Sequence, residues 1–117
     1  MIDEAVFNSL LAMERAGRRN AVQNILALYL SNSSRLIQEI REAIHTGDAA
    51  MLKARGHQLK SASVQVGAMD VSFHAEEIER LAQANQLAFA ADLLTPLEES
   101  VNTACRMFKD KIRSRAA

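Results

Sequence analysis

Residues 47–84 read GDAAMLKARGHQLKSASVQVGAMDVSFHAEEIERLAQA, and this stretch decides the fold. Leu52, Gly56, Leu59 and Val66 recur at steps of three, four and seven residues, the spacing of a helix with one buried face. Asp48 suits the N-cap of that helix, because its carboxylate can accept from the unpaired amides of the first turn. Gly67 suits its end, so a helix is expected from about Ala49 to Val66. Asp70 is then expected to cap a further helix, marked by Phe73, Glu77, Ile78, Leu81 and Ala82 and reaching about Ala84, with Asn85 supplying its C-terminal turn. Two helices joined by a turn near Ala68 form an antiparallel hairpin.

The flanking segments extend the same pattern. Upstream, Val22, Ile25, Leu26, Tyr29, Leu36, Ile37, Ile40 and Ile44 recur at helical steps, which predicts one long helix ending at His45-Thr46-Gly47. Asn20 is expected as its N-cap, with Gln23 completing a capping box. A shorter helix, about Glu4 to Ala16, is expected before it, capped by Asp3, striped by Phe7, Leu10 and Leu11, and stopped by Gly17. Downstream, Leu87, Leu93, Leu94, Leu97, Val101, Ala104, Cys105, Phe108 and Ile112 predict a last helix from about Gln86 to Arg113. Pro96 either kinks it or starts a new helix at Thr95-Pro96; the kinked single helix is the expectation. The fold class that follows is all-α: an antiparallel up-down four-helix bundle with a short additional N-terminal helix, forming a single domain over residues 1–117.

Composition narrows the function. The 117 residues are 49% apolar and 24% charged, with 14 Lys+Arg against 14 Asp+Glu, so one core can close without a disulfide, and Cys105 has no partner for one. Balanced charge and 4% aromatics leave neither a basic field for a phosphate backbone nor a stacking platform, so nucleic acid is not an expected partner. Apolar runs are too short for a membrane span, and Met1-Ile2-Asp3-Glu4 lacks the basic charge of a signal peptide. A cytoplasmic protein is expected. With no spare apolar stripe it is expected to be a monomer.

His57 carries the chemistry. It lies off the buried stripe, on a flank shared with Ala50, Lys53, Ala54, Lys60, Ser61 and Val64. An imidazole among small neighbours, with an ammonium one turn away at Lys60, reads as an exposed nucleophile. Pairing the hairpin about Ala68 sets Glu79 level with His57. A carboxylate accepting from Nδ1–H would fix the tautomer, leave Nε2 free, and stabilise the cation formed on attack. The remaining polar residues have plainer roles. His45 reads as a favourable charge at a helix C-terminus, His74 as a surface residue, and Cys105 as a buried inert thiol. Arg18 and Arg19 read as solvated charge, and Lys109, Lys111, Arg113 and Arg115 as compensation of a helix dipole. No carboxylate cluster suits a divalent ion, and no Gly-x-x-x-x-Gly-Lys-Ser/Thr motif is present, so neither a metal, nor a cofactor, nor ATP hydrolysis is expected of this chain.

His57-x-Leu59-Lys60, followed by Gly67-Ala68 within a helical hairpin preceded by Gly47-Asp48, resembles the histidine-containing phosphotransfer (HPt) domains of two-component phosphorelays. The resemblance extends over essentially the whole chain in helix order and length. It implies that His57 is the phosphoacceptor, taking its group from the aspartate of a response-regulator receiver domain or a hybrid sensor histidine kinase. It implies that Lys60 neutralises charge on the transferring group, that Glu79 orients His57, and that magnesium resides on the partner receiver. Members of that family often carry Gly after the lysine. Here Ser61 stands there, small enough to neighbour a phosphoryl group and able to bond either to it or back to its own helix. A receiver needs a landing surface around the histidine, for which Met13, Lys53, Ala54, Gln58 and Val64 are the candidates. The alternative is a non-catalytic helical adaptor that binds a receiver or kinase domain without phosphotransfer. A third reading, acceptance directly from a kinase ATP site, differs only in donor.

Overall fold

The computed structural model describes residues 2–17 and 20–116, the side chains of Arg115 and Ala116 excepted. Arg18 and Arg19 therefore lie outside the described residues, as does the side chain of Arg115. Among the described residues six helices follow one another: α1 (Glu4–Arg15), α2 (Ala21–Thr46), α3 (Ala49–Val66), α4 (Met69–Gln83), α5 (Leu87–Asp92) and α6 (Leu94–Ala116). The four long ones, α2, α3, α4 and α6, form an antiparallel bundle, with α1 as the additional N-terminal helix. The molecule is a rod of 45 × 21 × 20 Å. Its length follows from the 26 residues of α2, which span about 39 Å at the helical rise of roughly 1.5 Å per residue.

The turns form where the sequence offers residues suited to them. Gly47 and Gly67 both take left-handed φ, 73° and 79°, a conformation that costs other residues a Cβ clash. Asp48 then accepts from the Met51 amide at 3.0 Å and starts α3. Asn85, at φ 56°, ends α4 in the same way. The apolar stripes close one core, in which Leu26, Ile40, Leu52, Leu59, Ile78, Leu97 and Phe108 are fully buried. Gly56 and Val66 are buried with them, as the spacing of α3 predicts.

Three expectations are corrected. Asn20 does not cap α2: it is itself left-handed, at φ 62°, and makes no side-chain cap bond. Glu14 of α1 replaces it, its Oε1 accepting from the Val22 amide at 3.2 Å. Asp70 does not cap α4 either, because the helix already begins at Met69. The cap position falls on Ala68, whose amide is bound to the Ser63 carbonyl at 2.8 Å. Asp70 thus stands in the first turn, where an acidic side chain suits the helix dipole. The C-terminal segment is two helices rather than one kinked helix, and the break falls at Leu93, before Pro96. Proline sits in the first turn of α6, where its missing amide has no intrahelical acceptor to lose. On the outer side of α4, Phe73 is 61% exposed, its ring edge-on to that of His74.

Two contacts went unforeseen. Ile2 bridges Ala68, and the Asp3 amide donates to the Gly67 carbonyl at 2.8 Å, which ties the start of the chain to the α3–α4 turn. Inside the bundle, the hydroxyls of Tyr29 (α2) and Ser63 (α3) lie 2.8 Å apart, both buried, while the Tyr29 ring meets Phe108 of α6 edge to face. One polar pair thereby registers three helices.

Burial pushes the Tyr29 phenol up from 10.0 to about 12, partly opposed by its bond to Ser63. A folded-state pKa above the unfolded one means that the associated stability is complete below the unfolded value and is lost as pH rises through the folded one. Stability should therefore fall between pH 10 and pH 12, and this component should vanish in Tyr29→Phe. Tyr29 is the sole tyrosine, so phenolate absorbance reads its titration directly. The expected midpoint is near 12 in the folded protein and near 10 in urea.

Candidate functional site

The site is built on the α3–α4 hairpin. Because the Gly67 turn aligns the two helices antiparallel, Glu79 of α4 stands level with His57 of α3. Glu79 Oε2 lies 2.8 Å from His57 Nδ1, and its other oxygen, Oε1, accepts from Lys60 Nζ at 2.8 Å. One carboxylate thus holds both side chains. The Glu79 side chain is only 16% exposed, whereas the His57 side chain is 58% exposed. The imidazole is tethered at one nitrogen and open at the other: among the described residues no group bonds its Nε2.

Electrostatics reinforce this geometry. Partial burial pulls the Glu79 carboxyl upward, but the bonds from Lys60 and His57 outweigh it and hold the group below the ordinary carboxylate value. Lys60 moves the opposite way, its ammonium favoured chiefly by the bond to Glu79. At neutral pH the carboxylate is charged and faces an ammonium and an imidazole N–H. That is the arrangement that fixes the tautomer with the proton on Nδ1.

Around His57 lies a shallow hollow lined by Ala50, Lys53, Ala54, Gln58 and Glu79. Three candidates for the landing surface, Lys53, Ala54 and Gln58, therefore border the histidine. Val64 stands seven residues along the same helix and is 46% exposed, outside the lining of the hollow. Met13 is not brought there: it is partly buried and packs against the core. Ser61 is half-buried, four residues on from His57.

The link between Lys60 and Glu79 was missed in the sequence, although a signal was present. Lys60 follows His57 by three residues, so a carboxylate level with one is within reach of the other. Elsewhere, Cys105 is half-buried and its thiol pKa is pushed up by burial, which keeps it protonated. Among the described residues no group of three or more His, Cys, Asp or Glu side chains is placed to hold a metal ion, and no helix is long and apolar enough to cross a membrane.

The structure is a helical bundle that presents a tethered imidazole on the face of its α3–α4 hairpin. Residues 24–107 match the family model described as Hpt domain, and the chain belongs to that family. Solved structures share the fold. Histidine-containing phosphotransfer protein B from Pseudomonas aeruginosa PAO1 superposes with a TM-score of 0.85 at 21% identity, over 97% of this chain and 95% of its own. A histidine-containing phosphotransfer protein from maize gives 0.84 at 22% identity, over 96% and 89%. The HPT domain of a sensor hybrid histidine kinase from Shewanella is less similar, at 0.55 and 19% identity, over 86% and 92%. No curated protein sequence matches the chain.

Proposed function

We propose that the protein is a phosphorelay intermediate. His57 Nε2 attacks the phosphorus of an aspartyl phosphate on a receiver domain, the P–O bond to the aspartate breaks, and the carboxylate leaves with its electron pair. The phosphoryl group is later returned to the aspartate of another receiver by the reverse displacement. The observation that supports this reading best is the asymmetric tether: Glu79 takes Nδ1 and leaves Nε2 on the exposed face. Phosphoryl transfer has a loose transition state and depends mostly on position and charge, so an oriented neutral nitrogen beside a cation is what an acceptor needs to offer. Lys60, bonded to Glu79, supplies a cation one turn from His57, and Ser61 stands on the same helix one turn beyond His57. Magnesium is held by the receiver; this chain works without a cofactor and has no catalytic cycle of its own. Lys53, Ala54 and Gln58 meet the receiver around the histidine.

The test is incubation with a receiver phosphorylated on aspartate. Acid-labile, base-stable label should appear on this chain and pass to a second, unlabelled receiver. Incubation with ATP alone should give no label. Binding of receivers without label on either side of the exchange would favour the non-catalytic adaptor.

A further inference from the structure

The tether depends on how closely α4 approaches α3, and one residue sets that distance. Gly56 precedes His57 in the middle of α3, where a helix would ordinarily favour alanine. A Cβ at this position would stand 3.3 Å from the Ala75 carbonyl oxygen, 3.3 Å from the Glu79 amide nitrogen and 3.5 Å from Glu79 Cα. All three neighbours are backbone atoms of α4, so no side-chain rotation relieves the contact; the helix itself must give by some tenths of an ångström. The residue pressed against Gly56 is the one whose carboxylate reaches both His57 and Lys60. Ala75 is fully buried on the same face of α4.

We propose that Gly56 is a positioning residue for phosphotransfer, acting through Glu79: by letting the α4 backbone lie against α3 it holds the carboxylate at bonding distance from His57 Nδ1. The structural half of this proposal stands on the packing alone, and its catalytic half rests on the phosphorelay reading. A larger residue at 56 separates the helices at the level of Glu79, lengthens the bond to Nδ1 and releases the ring to its other tautomer.

The test uses the full chain, labelled with nitrogen-15, and two-bond imidazole correlation spectra, which show which ring nitrogen carries the proton. The wild type is expected to hold His57 in the Nδ1–H form. Gly56→Ala and Gly56→Val should shift it towards the Nε2–H form in order of size, with helical circular dichroism retained. Acceptance from a phosphorylated receiver should slow about threefold for Ala and about tenfold for Val, in line with the sensitivity of transfer to misplacement. Placed on a Glu79→Ala background, the same substitutions should slow transfer by less than about twofold, because the group they displace is already gone. Val101→Ala, a core truncation on α6, should lower stability while leaving the tautomer unchanged. An unchanged tautomer in the folded Gly56 variants would overturn the proposal. So would a rate loss that persists in full on the Glu79→Ala background. Should Val prevent folding, the milder Ala variant decides alone. If the wild type accepts no phosphoryl group, it is the relay reading that fails, and the tautomer comparison still judges Gly56.

Discussion

His57→Gln should abolish phosphoryl acceptance while leaving the fold and receiver binding intact. The loss should be at least about a thousandfold, since no other side chain in the hollow supplies a neutral nucleophile. Gln58 in the lining, like glutamine at 57, is an amide whose nitrogen pair is delocalised, and Lys60 beside the hollow is held as an ammonium by Glu79. Stability should change by no more than about 0.5 kcal/mol, because the His57 side chain is more than half exposed and packs in no core. Glutamine is preferred to alanine here because its amide can still bond Glu79 Oε2, so the carboxylate is not stranded. Thermal melting, receiver affinity and acid-labile label measured on one preparation check all three statements. Label at more than a few per cent of the wild-type level would place the acceptor elsewhere. A variant that binds receivers, carries no label and still supports signalling in a cell would establish the adaptor instead.

Why this histidine could be singled out in the sequence, while other features could not, follows from the range of the interactions involved. Gly47, Asp48 and Gly67 fix turns through their own backbone preferences, and local preferences are legible locally. The level of Glu79 was legible too, because an antiparallel hairpin with a short turn pairs residues by simple counting from its centre. Asn20 failed as a cap because Glu14, on the preceding helix, reaches the Val22 amide first. Asp70 failed because the tight turn after Gly67 puts Ala68 at the cap position and starts α4 at Met69; the pairing of Ile2 and Asp3 with that turn, some sixty residues distant in sequence, is announced by no local pattern. Phe73 marks the helix by its spacing yet lies on the outer side of α4, while Val71, Ala75 and Ile78 fill the core face. Ser63 shows the converse. A hydroxyl in an apolar stripe reads as exposed until a partner such as Tyr29 is seen to satisfy it.

Glu79 carries the second large effect, which separates its two roles. Nucleophilic attack through Nε2 builds positive charge on the ring, and a carboxylate 2.8 Å from Nδ1 stabilises that charge. Hydrogen bonds to charged groups contribute about 1.5–3 kcal/mol, so Glu79→Ala should slow acceptance about 10- to 160-fold. Glu79→Gln keeps an acceptor for Nδ1–H but no charge, and Lys60 loses its ion pair. It should hold the Nδ1–H tautomer yet slow transfer by an intermediate amount. If orientation alone mattered, Gln would match the wild type; if charge alone mattered, Gln would match Ala. Equilibrium shifts in the same sense as rate, because phosphohistidine keeps the ring charge for as long as Nδ1 holds its proton. Less label should therefore reside on Glu79→Ala than on the wild type at the end of the exchange with the same receiver. Stability provides an independent check on the charge. The Glu79 carboxyl lies below its ordinary value of 4.5, so its contribution is present above that pH and is lost as pH falls through the lowered folded value. The stability gap between the wild type and Glu79→Gln should thus be constant near neutrality and close on acidification below 4.5. A gap that stays open in acid would mean that Glu79 acts through packing, and the electrostatic account of the site would have to be given up.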